Sequence, residues 1–133
     1  MNYIDDINFN AAGLVAVICQ DFKTDKVLMM AWMNKQALDL SIQKNKAVFY
    51  SRSRQKLWHK GEESGFFLNI KDIRLDCDGD VILLKVEQIG GISCHTGRLS
   101  CFYRRLKNNN QWESFLNVLK DPAIIYKKNK NAK

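Results

Sequence analysis

Two apolar, β-branched segments open the chain, Gly13 to Gln20 and Lys26 to Met33, and the polar DFKTD between them predicts a β-hairpin. Asn34 then offers an N-cap. Ala37, Leu38, Ser41 and Ile42 recur at helical spacing, which predicts a helix to about Lys44 with those four residues facing inward. Ala47 to Ser51 returns to strand character, and the basic run RSRQKLWHKGEESG that follows has no clean period and reads as a long ordered loop. Phe66 to Leu75 and Val81 to Val86 alternate as strands on either side of DCDGD. Gly90 and Gly91 interrupt the pattern, CHTGR (Cys94 to Arg98) reads as a turn, and Cys101 to Leu106 as a last strand. Trp112, Phe115, Leu116 and Leu119 fall at i, i+3, i+4 and i+7 and predict a second helix, with Pro122 beyond its end. The elements add up to an α+β domain with two helices and a mostly antiparallel, barrel-like sheet.

Composition narrows this further. With 133 residues, 46% apolar and 26% charged, the chain matches an ordinary globular domain and neither a disordered nor a disulfide-dense one. Residues 1–126 read as a single domain and 127–133 as a basic tail. The net charge is +7, but Lys127, Lys128, Lys130 and Lys133 supply four of those charges, which leaves +3 on the body. The longest apolar run, Val27 to Met33, is far short of the ~20 residues a membrane span needs, so no membrane partner is expected. Asp5 and Asp6 near the start do not suit a secretory signal, so a cytoplasmic location is expected, where the four cysteines are thiols.

Thiols and carboxylates carry the candidate chemistry. Asp76, Asp78 and Asp80 sit at i, i+2 and i+4, so on an extended backbone their carboxylates share a face suited to a hard divalent cation such as magnesium. The competing reading is a polar hairpin tip. A calcium-binding EF-hand is excluded, because the sharp turn at its sixth position needs glycine and Val81 stands there. Cys77, between the first two aspartates, points to the opposite face, and Cys94 and Cys101 follow at spacings unlike those of structural zinc knuckles. Three thiols leave one zinc position open, as catalytic zinc requires; buried structural cysteines are the alternative. Cys19, inside an apolar strand, reads as core packing. His95 beside Cys94 is a candidate fourth ligand or proton carrier, or else a solvated turn residue. Arg52, Arg54, Lys56 and Lys60 interleave with Tyr50 and Trp58, a mixture suited to phosphate and base, although a solvated loop would look the same.

With these residues in view, the sequence resembles the phosphoribosyl-AMP cyclohydrolase family. The resemblance is carried by LMMAWMNKQAL (Leu28 to Leu38), FYSRSRQKLWHKGEESG (Phe49 to Gly65) and IRLDCDGDVILLKVEQIGGISCHTGRLSCFYRR (Ile73 to Arg105). It implies a histidine-biosynthesis enzyme that opens the N1–C6 bond of the adenine ring of N1-(5-phosphoribosyl)-AMP with zinc-activated water, giving the formimino-carboxamide ribonucleotide. By the same resemblance Cys77, Cys94 and Cys101 bind zinc, and Asp76, Asp78 and Asp80 bind magnesium. It also implies a homodimer with shared active sites, in which the DCD cysteine faces the other two across the interface. His95 is then assigned to proton transfer, and Arg52, Arg54 and Trp58 to substrate. Only 28 residues follow Arg105, too few for a fused pyrophosphohydrolase domain, so a monofunctional enzyme with a small nucleotide substrate and no nucleic-acid partner is expected. The alternatives are a small basic nucleic-acid-binding module and a structural zinc module. An adenine or cytosine deaminase is disfavoured because the HxE and PCxxC signatures are absent.

Overall fold

The computed structural model describes residues 2–130. The expected hairpin forms from β1 (Val15–Asp21) and β2 (Val27–Met33), antiparallel with Val15 opposite Met33. Asn34 caps α1 (Lys35–Lys44), its side-chain oxygen accepting from the Ala37 amide at 2.8 Å, and Asn45 ends the helix in the left-handed region. Ala37, Leu38 and Ser41 are buried on its inner face. Ile42, expected on that face, is exposed instead.

The basic run is not one long loop. β3 (Val48–Ser51) turns back at Gln55, whose φ of 52° closes the connection, into β4 (Lys56–His59), with Phe49 opposite Trp58. β5 (Leu68–Leu75) and β6 (Val81–Gln88) form the next hairpin. β6 also pairs parallel with β1, so the main sheet has the order β2-β1-β6-β5 and one parallel pair at its centre. The four strands do not close on themselves, so the expected barrel-like closure is not found; the chain entering β3 meets the β5 edge only at the isolated Lys46–Asn69 bridge, flanked by the Ala47 amide on Leu68 O and the Ile70 amide on Asn45 O.

Beyond Arg98 the expectations change most. Cys101 lies in a loop docked on β2, donating its amide to Leu28 O at 2.7 Å, and the strand β7 is only Arg104–Leu106. The apolar spacing from Trp112 to Leu119 does not make a helix. Asn110, at φ 62°, closes a turn that returns the chain as β8 (Trp112–Ser114) against β7. The second helix, α2 (Pro122–Lys130), starts at the proline that was expected to follow it. Asp121 accepts from the Ala123 amide at 2.9 Å, and proline suits a first helical position because its missing amide hydrogen has no partner there. α2 carries the first four residues of the basic tail, and 131–133 lie outside the described residues.

The core is one cluster. Val15, Val17 and Cys19 of β1 meet Ile82, Leu84 and Val86 of β6, with Leu28, Met33, Leu38, Val48, Phe49 and Leu68 packed around them. Among the described residues no helix is long and apolar enough to cross a membrane. Ser41 is the polar joint in this packing: its hydroxyl donates to Ala37 O at 2.8 Å and accepts from the Val48 amide at 2.9 Å. Ser41→Ala leaves that buried amide without its partner and should cost about 1–3 kcal/mol, measured by urea unfolding; a loss indistinguishable from zero would show that the β3 amide is satisfied elsewhere.

Candidate metal and nucleotide site

The β5–β6 turn gathers three carboxylates. Asp76 Oδ1 accepts from the amides of Asp80 (3.0 Å) and Val81 (3.2 Å), which curls the chain so that the Asp76, Asp78 and Asp80 oxygens lie within 4.8 Å of one another. A turn, and not the period-two face of a strand, brings them together. The turn is braced from outside: Asn8 donates its side-chain amide to Asp78 O at 2.7 Å and its backbone amide to Gly79 O at 2.8 Å. Gly79 has a φ of +73°, and a Cβ there would meet Asp6 O at 2.5 Å, so only glycine lets the N-terminal segment close in. A hydrogen bond to Asp76 and its negative charge push the Asp80 carboxyl above its ordinary range, while the backbone amides it accepts hold Asp76 below. Three crowded oxygens of this kind fit a hard divalent cation.

Cys94 and Cys101 come together at the other end of the molecule. The Ser93 and Cys94 amides donate to Leu99 O and Arg98 O, which folds CHTGR into a tight turn as expected. The turn is seated by Gly97, whose carbonyl accepts from the Leu119 amide at 2.8 Å, and by Arg98, whose Nε donates to Leu116 O at 2.9 Å while its guanidinium lies 4.0 Å from the Tyr103 ring. The Cys94 and Cys101 thiols lie close enough for the charge of one to act on the other, and Thr96 Oγ1 lies 3.0 Å from Cys94 Sγ. Cys101 is exposed as a residue, but loss of solvent around its sulfur, and then the charge of Cys94, push its thiol up to about 12. Two adjacent soft donors fit zinc, with a further donor still to be supplied.

Cys77 does not join them within one chain. It is exposed in the carboxylate turn, and the aspartate triad is the sole three-donor cluster among the described residues. β6 lies between, and the seven steps of ~3.3 Å from its first residue to its last span roughly 23 Å.

The candidate substrate residues divide between two hollows. A cavity of about 730 Å³ is lined by Arg54, Trp58, His59, Lys60, His95 and Tyr126, among others. The second, of about 540 Å³, is lined by Trp32, Tyr50 and Arg52, and the Arg52 guanidinium lies 4.8 Å from the Trp32 ring. Ser51, Ser53 and Trp58 border both. Trp58 is propped by its cross-strand partner Phe49, ring centroids 5.4 Å apart, and stays 42% exposed. Arg52 and Arg54, neighbours in sequence, therefore face different spaces.

A family model described as phosphoribosyl-AMP cyclohydrolase matches residues 29–103. The chain is 60% identical over 131 residues to the phosphoribosyl-AMP cyclohydrolase of Stutzerimonas stutzeri (strain A1501), covering 98% of this chain and 99% of that protein. It is 57% identical over 126 residues to that of Vesicomyosocius okutanii, covering 95% of this chain and 99% of the relative. The chain belongs to the phosphoribosyl-AMP cyclohydrolase family.

The family match spans every candidate metal donor and both hollows except Tyr126. Lys60 and Tyr126 are the lining residues that sequence reasoning undervalued: Lys60 was one cation among several, and Tyr126 sat past the expected end of regular structure. The signal for Lys60 was its position, directly after a strand residue and before Gly61. Desolvation of its sulfur and the neighbouring Cys94 both disfavour the Cys101 thiolate and raise its pKa to about 12 in the metal-free protein. Its alkylation by iodoacetamide should then quicken about tenfold per pH unit from pH 8 to 10 without levelling; a plateau near pH 9 would contradict that environment.

Proposed function

We propose that this chain hydrolyses the N1–C6 bond of the adenine ring in N1-(5-phosphoribosyl)-AMP, a step of histidine biosynthesis, and does so as a homodimer. The observation that carries this reading is a conjunction at one cavity. His95, next to Cys94, lines the same space as Trp58 and Arg54, so a hydrolytic centre and a surface suited to a nucleotide face each other. The names of its close relatives support the same reaction.

Zinc would be held by Cys94 and Cys101 with Cys77 of a second copy, and magnesium by Asp76, Asp78 and Asp80 of that second copy. Two features support the pairing. Cys77 and the thiol pair sit too far apart along β6 to meet in one chain, and apolar side chains flank each half-site: Ile73 and Leu75 are exposed before Cys77, and Phe102, 52% exposed, follows Cys101. When bound, the zinc supplies an acidified water and the magnesium a charge that neutralises phosphate. In the balanced reaction the water oxygen ends on C6, the N1–C6 bond breaks, N1 takes a proton, and the exocyclic nitrogen remains as the carboxamide. His95 is suited to move that proton. Trp58 offers its open face to the purine, and the substrate's two phosphates match the separation of Arg54 from Arg52, one cation in each hollow.

Protein supplied with zinc and magnesium should open the purine ring of phosphoribosyl-AMP, followed by absorbance. Cys94→Ala should lower kcat/KM by more than the ~10–100-fold that loss of a ligand's supporting partner costs; full turnover by that variant would remove the zinc role. Mixing Cys77→Ala and Cys94→Ala proteins after unfolding and refolding should restore about a quarter of wild-type activity, since half the random dimers carry one complete site. A mixture as inactive as its parents would rule out the shared site.

A further inference from the structure

Lys60 is the one charged side chain that is buried among the described residues, at 7% exposure. Its backbone amide donates to Ala47 O at 3.2 Å, which anchors it at the end of β4, and its Nζ donates to Ser93 O at 2.8 Å, across to the residue before Cys94. The partner its ammonium reaches is thus a neutral carbonyl and not a carboxylate. The ionisable groups that face it are Cys101, Cys19 and Cys94. The Trp58 ring centroid lies 5.8 Å from its ammonium.

An ammonium removed from water costs several kcal/mol unless an opposite charge accompanies it. Cys19 lies wholly inside the core at β1, which leaves the Cys94 and Cys101 pair as the place for that charge. Three thiolates on a divalent cation carry one net negative charge, and one buried ammonium cancels it. We infer that Lys60 is a positioning and charge-compensating residue for the thiolate metal centre, tethering the Ser93–Cys94 backbone and balancing the excess negative charge of the sulfur ligands. This rests on the zinc reading above and adds a role for a residue that no metal touches. It also couples two walls of the cavity, because Lys60 belongs to the β4 side that presents Trp58 and bonds to the loop that presents His95.

The test uses Lys60→Gln, which keeps a donor for Ser93 O and loses the charge, and Lys60→Met, which loses both. Zinc affinity of the full-length protein is measured by chelator competition, and the thiolate-to-metal charge-transfer absorbance is recorded after cobalt substitution. Both variants should bind zinc about 10–100-fold more weakly than wild type, with a weakened or shifted charge-transfer band. Should Lys60→Met fail to fold, Lys60→Gln alone carries the comparison. Zinc affinity and cobalt spectrum of Lys60→Gln within twofold of wild type would overturn the inference, and a raised KM accompanying them would make Lys60 a substrate residue instead. Wild-type protein that holds neither metal would instead overturn the zinc reading itself.

Discussion

Strand β6 sets the distances on which the site depends. It is hydrogen-bonded on both sides, parallel to β1 and antiparallel to β5, and every second side chain from Ile82 to Val86 is locked in the core. A strand held this way neither shortens nor bends much, so what lies at its two ends stays apart. The carboxylate turn with Cys77 precedes it. The loop carrying Cys94 follows it, tied back where Ser93 Oγ donates to Gln88 Oε1 at 2.7 Å. One chain thus keeps its carboxylate turn and its Cys94–Cys101 loop at a fixed separation, and that separation is what the proposed pairing of two copies rests on.

The thiol end is built from segments that gain order only by docking on one another. Ser100 Oγ donates to Val27 O at 2.7 Å and the Cys101 amide to Leu28 O, so the cysteine loop borrows its rigidity from β2. The opposite wall comes from the β3–β4 hairpin, which sets Trp58 against Phe49 and sends Lys60 inward. The cavity between them combines an aromatic face, cations and a histidine beside a thiol pair, because two strips of chain far apart in sequence are pinned across it. Lys60 is a polar link between those strips, its Nζ donating to Ser93 O at 2.8 Å.

Local physics was easy to read wherever one residue or one period settled the outcome. Asn34 capped its helix, the two apolar segments paired, and DCDGD became a turn between strands, because capping, alternation and turn chemistry act within a few residues. Where two local solutions competed, the weaker signal won. Trp112 to Leu119 had a helical period, yet the asparagines before it made a hairpin turn, and Pro122 opened a helix with Asp121 as its cap. RSRQKLWHKGEESG hid strand β4, since charged residues on an exposed hairpin carry no apolar alternation to betray it.

The sequence by itself determined which residue types were available for chemistry, that they belong to one α+β domain, and which family the motifs resemble, because those properties reside in composition and short spacing. Only the tertiary structure decided that the carboxylates converge through a turn, that Arg52 and Arg54 part company, that Cys77 is kept from Cys94 and Cys101, and that Lys60 is buried against them. Each of these depends on strand register and on contacts between residues tens of positions apart, such as Lys60 with Ser93. No local pattern encodes them, since the free energy that places such groups comes from packing the whole sheet.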